Sequence, residues 1–322
     1  MAELLVRKNG RWGRFGRSET APTPGAYVPG PDTTGPSGAL TPYAGSITVT
    51  LAGTVIENLD VFGKITVQAA NVTIRNCRVR GHNAQATNGG IIQATSAACS
   101  GLVVEDCLLV PDYVHVYWTG IIGHDYTVRR TEVYGTVDGF GVYNTTNANG
   151  AANVTISACW VHDLAYIEPD PNHGDNRTHN DCIQVQGNSN ITISGNLLEA
   201  NASATLGTPG LNPYSPSVTG QAIGLTPNVG PITNVTISDN WLDYGASSIT
   251  IIPGSHGTST TAIITGNRFG RNQVLVGGVR RPITVDPSLT IPNFPASTGP
   301  DTASGNTWLD NGSPVTIYRM AG

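Results

Sequence analysis

The stretch Asn153 to Val161, NVTISACWV, is the unit that this chain rewrites along most of its length. Close copies read NVTIRNCRV from Asn71, GLVVEDCLL from Gly101, DYTVRRTEV from Asp125, NITISGNLL from Asn190 and NVTISDNWL from Asn234. Weaker ones are GTVIENLDV from Gly53 and TAIITGNRF from Thr261. Aligning them places Leu59, Cys77, Cys107, Thr131, Cys159, Asn196, Asn240 and Asn267 at one equivalent position, with Asn306 continuing the series. Within each copy the alternation has period 2, the mark of a strand with one buried and one solvated face. A constant strand at variable intervals predicts a solenoid whose loops differ from turn to turn.

A second series of short apolar strands lies between the copies: GGIIQAT from Gly89, TGIIGHD from Thr119, DGFGVYN from Asp138, DCIQVQG from Asp181, QAIGLTP from Gln221 and SITIIPG from Ser248. Two or three strands per turn with no helical periodicity predict an all-β fold, a right-handed parallel β-helix. The 322 residues then form one solenoid body from 41 to 322, with a C-terminal cap from about 280, preceded by an arm and tether over 1–40. The arm holds Arg7, Lys8, Arg11, Arg14 and Arg17 with Trp12 and Phe15. Residues 21–38 are rich in Pro, Gly and Thr and read as a semi-extended tether, not a packed element.

Net charge is −5, from 17 basic and 22 acidic side chains, which argues against a nucleic-acid partner. No stretch is apolar enough to span a bilayer, and the start MAELLVRKNG lacks the apolar core of a signal peptide. Five cysteines without metal or disulfide spacing read as buried thiols. The asparagines of the later copies read as a ladder of stacked amides. Four Asn-x-Thr strings, at Asn71, Asn153, Asn190 and Asn234, are by-products of the repeat, with no metal or glycan implied.

Stacked turns bring equivalent positions within about 4.8 Å of one another. The second series therefore sets Asp138, Asp181 and Gln221 in one column, and two carboxyls on adjacent turns can share a proton. The other reading of these aspartates is that they cap turn N–H groups, because both share parity with core residues such as Phe140 and Ile183. The string HGDNRTHND, His173 to Asp181, is the densest polar cluster of the chain, with Glu168, Asp170 and Asp175 nearby. Candidate catalytic residues are Asp138, Asp181 and His179. Candidate substrate contacts are Asn180, Gln184, Gln221, Tyr143, Arg177 and His173. The carboxylates also offer oxygen ligands for Ca2+; no other cofactor or metal is expected. Tyr113, Tyr117, Trp118, Tyr134, Tyr143, Trp160, Tyr166 and Tyr214 are aromatics on which sugar rings could stack.

VDGFGVYN around Asp138 and NDCIQVQG around Asp181 resemble the consecutive TDG and DDC turns of polygalacturonases and the wider pectate-lyase-like β-helix superfamily, which implies glycosidic-bond hydrolysis by Asp138 and Asp181. Asn180 stands where that family has the first aspartate of DDC, and Gln221 where it has the histidine of GHG. Ser248 to Pro253 holds no Arg-x-Lys pair, so for a lyase only Arg177 with His179 supplies cation and base. The basic arm, Pro-rich tether and β-helix body together resemble minor tail or tailspike proteins of phages infecting actinobacteria. That resemblance implies a virion tail location, attachment to other tail proteins through the arm, a homotrimer and contact with a host-surface glycan, with cleavage an open question. The alternative is a free-standing polysaccharide hydrolase or lyase.

Overall fold

The computed structural model describes residues 27–81, 89–201, 220–257, 262–286 and 305–319, together with the backbone of Val6–Lys8 and Arg11–Gly13, which pair antiparallel. The body is a parallel β-helix. Three sheets of eight, ten and ten strands run the length of the described residues, and every pairing between strands of successive turns is parallel. Among the described residues no helix is long and apolar enough to cross a membrane.

Each repeat copy supplies a strand of the first sheet, a corner and a strand of the second. In Ala151–Ser157 the residues Val154 and Ile156 are buried while Thr155 and Ser157 face outward. The corner follows at Ala158, with φ 52°, and the equivalent corners at Asn58, Asn76, Asp106, Asp239 and Gly266 are also left-handed. One left-handed residue turns the chain sharply, which is why Asn, Asp and Gly recur there. The next residue then points inward. Strand register confirms that Cys77, Cys107, Thr131, Cys159, Asn196, Asn240 and Asn267 occupy one column, since their successors pair turn to turn from Arg78 to Arg268. All five cysteines are buried free thiols.

The asparagine ladder continues through Asn306. The side-chain N–H of Asn196 donates to Asn240 Oδ1 at 2.9 Å, that of Asn240 to Asn267 Oδ1 at 2.9 Å and that of Asn267 to Asn306 Oδ1 at 3.0 Å. Each of these three amides also donates to a carbonyl of the first sheet, at Ile156, Ile193 and Ile237. Buried amides are thereby satisfied without water.

The third sheet holds the second series. Register aligns Thr119, Asp138 and, through their neighbours, Asp181, Gln221 and Ser247. The end members differ from the sequence alignment by one residue: Ile92, not Ile91, pairs with Ile121, and Ser247, not Ser248, pairs with Gln221. A Cβ on Gly90 would sit 2.1 Å from the Ile92 carbonyl oxygen, so the backbone folds tightly there. The C-terminal strands Thr307–Trp308 and Ile317–Arg319 each add a last rung, on Arg268–Phe269 and Ile283–Val285.

Residues 27–38 do not stand off as a tether. Val28 packs against Trp160, Leu197 and Trp241, three outward side chains of the second sheet. The Gly35 N–H donates to the Arg130 carbonyl, and the Ser37 N–H to Asn76 Oδ1. The segment runs along the outside of the body because an apolar strip on a sheet face lowers its free energy by being covered.

Candidate functional site

Asp138 sits at the start of the strand Asp138–Val142, followed by Gly139. A Cβ on Gly139 would lie 2.8 Å from Val161 Cγ1, in the core, and Phe140 is also fully buried. Two successive residues therefore point inward, the pleat slips by one, and Asp138 is turned outward. The same happens a rung below, where Cys182 is fully buried beside Asp181. The parity argument that placed both aspartates with the core is thus overturned by small residues at the next position.

The column is linked by hydrogen bonds. Asp138 Oδ1 accepts the Asp181 N–H at 2.9 Å, and Asp181 Oδ1 accepts both the Gln221 N–H at 3.0 Å and its side-chain N–H at 2.6 Å. Capping and proximity hold together. Burial first, and then the neighbouring Asp181 carboxyl, push Asp138 well above the usual carboxylate range. Burial raises Asp181 to about 6, against the opposing pull of the Gln221 hydrogen bonds. Burial and the facing Asp181 carboxyl both favour the protonated form of Asp138.

Asp138 is half-buried and opens into a cleft of about 180 Å3. Its walls include Tyr117, Thr119, Ile122, Gly141, Tyr143, Asp170, Asn172, His173, His179, Gln184 and Gln186. Gly141 gives the floor no side chain; a Cβ there would already lie 3.3 Å from Ile122 Cγ2. The far wall is the loop between the first two strings of the resemblance. Asp170 Oδ1 accepts the Asn172 N–H at 2.9 Å, and Asp170 Oδ2 lies 2.7 Å from His173 Nδ1. Burial would raise Asp170, but these hydrogen bonds outweigh it and hold the carboxyl below its ordinary value. His173 stacks on His179 with ring centroids 4.3 Å apart, and His179 Nε2 is 3.1 Å from Asp175 Oδ2.

Of the candidates named from sequence, Asp138, Tyr143, His173, His179 and Gln184 therefore meet in one cleft. Asp181 lies behind Asp138, 2% exposed, and acts on the cleft through its neighbour. Asn180 is buried and donates to the carbonyls of Val137 and Ala165, which takes it away from any ligand. Gln221 is engaged with Asp181, and Arg177 with Asp175, Nε to Oδ2 3.6 Å. Among the aromatics Tyr117 and Tyr143 reach the cleft, whereas Trp118, Trp160 and Tyr166 are buried; Tyr214 lies outside the described residues. Among the described residues no three His, Cys, Asp or Glu side chains converge to hold a metal ion. Sequence reading placed Asp170 near the polar cluster without giving it a role, and left out Asn172 and Gln186. The string Asp170-Pro-Asn-His173 carries the signal, an aspartate positioned to receive the N–H two residues on.

Beyond the cleft, the outward centre of the third sheet continues in register. It reads Thr48, Thr66, Gln93, Ile122 and Gly141, then Gln184, Gly224, Thr250, Thr284 and Tyr318.

No protein-family model matches this chain, and no curated protein does. Among solved structures it is similar to a mutant tailspike protein of the E. coli bacteriophage HK620, in complex with a pentasaccharide. The TM-score is 0.44 and the identity 18%, over 82% of this chain and 46% of that one. This chain thus spans about half the length of that structure.

Proposed function

We propose that this chain contacts a host-surface polysaccharide through the Asp138 cleft, as part of a phage tail. The observation that carries the glycan reading is the cleft itself: a carboxyl whose protonated form burial favours, two tyrosines and a histidine oriented by a carboxylate, around a floor without a side chain. Sugars present hydroxyls on their rims and C–H groups on their faces. A neutral carboxyl both donates and accepts hydrogen bonds to the first, and tyrosine rings pack on the second. Cleavage would use the same groups, because the protonated form of Asp138 is the one that donates to a glycosidic oxygen. With Nδ1–H held by Asp170, His173 presents Nε2 as the acceptor for a proton from water.

The virion setting is supported by the arm, whose mixture of basic and aromatic residues before a Pro-rich stretch suits a docking peptide. Attachment to other tail proteins through that arm and assembly as a homotrimer belong to the same proposal.

The test is binding of host-envelope polysaccharide, with reducing-end release measured in parallel. Wild type should bind, and Gly141→Leu, which fills the floor, should lose at least about tenfold in affinity. If release accompanies binding, Asp138→Asn should abolish release while the protein stays folded. Equal binding by wild type and Gly141→Leu would sink the cleft as the site.

A further inference from the structure

The ten-residue column along the third sheet contains no Asp, Glu, Lys or Arg. The central outward column of the first sheet, from Val55, Thr73, Val103 and Thr127 to Ile263, is uncharged as well, whereas that of the second opens with Asp60 and Arg78; what singles out the third-sheet column is the cleft that it passes. At one strand per about 4.8 Å, this column runs for about 43 Å along the helix axis and passes directly over the cleft floor at Gly141. Gly141 lies next to Gln184 within it and keeps the track low where the cleft opens, while the space over Gly224 is taken by the Gln221 side chain and the Asp181 carboxyl.

We propose that the glycan taken by this cleft is an uncharged polysaccharide, laid along the helix axis on the third sheet with one ring over Gly141. The inference rests on the cleft reading above and narrows its substrate class. A polymer carrying carboxylates or sulfates needs cations along its path, and among the described residues the cleft wall holds neither lysine nor arginine. Arg177, the nearest arginine in the sequence, is turned to Asp175. The carboxyls that line the cleft do not favour a uronate: hydrogen bonds hold Asp170 below its ordinary range, burial favours the protonated form of Asp138, and His173 and His179 are each paired with a carboxylate of this chain. Thr48, Thr66, Gln93 and Thr250 along the rest of the track are at least partly exposed and offer donors and acceptors without charge, which matches a chain of hydroxyls.

Two sugars at the cleft could satisfy the geometry without the track, so the experiment separates length from charge. The full-length protein is applied to an array of neutral, amino-sugar, uronate and sulfated polysaccharides, and bound members are titrated at about 0.05 and about 0.5 M sodium chloride. Binding should be confined to neutral members, with affinity moving less than about twofold between the two salts. Thr250→Arg, two rungs from Gln184 and partly exposed, should weaken the long polymer about tenfold and leave its di- or trisaccharide fragment at wild-type affinity. Should that variant misfold, Thr48→Arg at the exposed end of the track makes the same test. Preference for uronate or sulfated members would overturn the substrate class and leave the glycan cleft standing. Equal loss for polymer and fragment, or no loss for either, would overturn the axial path. Failure to bind any class on the array would overturn the cleft reading itself, and this inference with it.

Discussion

At the scale of single residues, the cleft depends on one substitution of position: a glycine or cysteine takes the inward place, and the aspartate before it is turned out. The sequence shows the aspartates but not the turn, because alternation alone assigns them to the core. Their titration follows from where they end up. Asp181 at about 6 is raised above an ordinary carboxylate near 4, so the folded state tolerates its charge less well than the unfolded chain does. Its contribution is therefore fully present below about pH 4 and is lost as pH rises through about 6. Asp181→Asn should melt higher than wild type at pH 8, by the equivalent of about 2–3 kcal/mol, and the gap should close below pH 4. Thermal melts across that range check it; a gap independent of pH would show that the carboxyl is not desolvated. Asn240 makes the opposite case. Its Oδ1 accepts from both the backbone and the side-chain N–H of Asn196. Asn240→Ala should cost about 3 kcal/mol in urea unfolding, because buried donors lose their acceptor. The ladder was legible in the sequence because the same amide recurs at the same place in each copy.

At the scale of elements, what could not be read was contact between segments distant in sequence. Residues 27–38 have the composition of a linker, and nothing in them announces a partner. The strip that they cover, Trp160, Leu197 and Trp241, is scattered over three turns and becomes continuous only when the strands are stacked. Val28→Asp should place a charge on that strip and lower the melting temperature by about 5 °C, with a red shift in tryptophan emission as Trp160 and Trp241 become wet. Unchanged emission would show that the segment's cover is incidental. The end strands of the third sheet slipped by one residue in the sequence alignment for a related reason. Gly89-Gly90 and Ser247-Ser248 are pairs of like residues, and neither offers a mark by which to choose the register. The central strands, where Asp138, Asp181 and Gln221 follow one another, were aligned correctly.

At the scale of the whole molecule, the three faces of the β-helix have separate characters. The first sheet presents threonine, serine and charge pairs such as Arg75 with Glu57, the second is partly covered by residues 27–38, and the third carries the cleft and an uncharged track. The repeat made the solenoid evident from sequence, since a strand that recurs with one inward ladder position has few other ways to bury it. The cleft was only half evident. Its strand residues were found by alignment, but Asp170 and Asn172 come from a loop whose path no periodicity dictates. The most direct measurement is a crystal structure of the full chain soaked with fragments of the polysaccharide that it binds. A sugar ring over Gly141, with a hydroxyl or glycosidic oxygen within hydrogen-bond reach of Asp138 and a face against Tyr117 or Tyr143, is the predicted result. A sugar bound on another face, with the Asp138 cleft left to solvent, would contradict it.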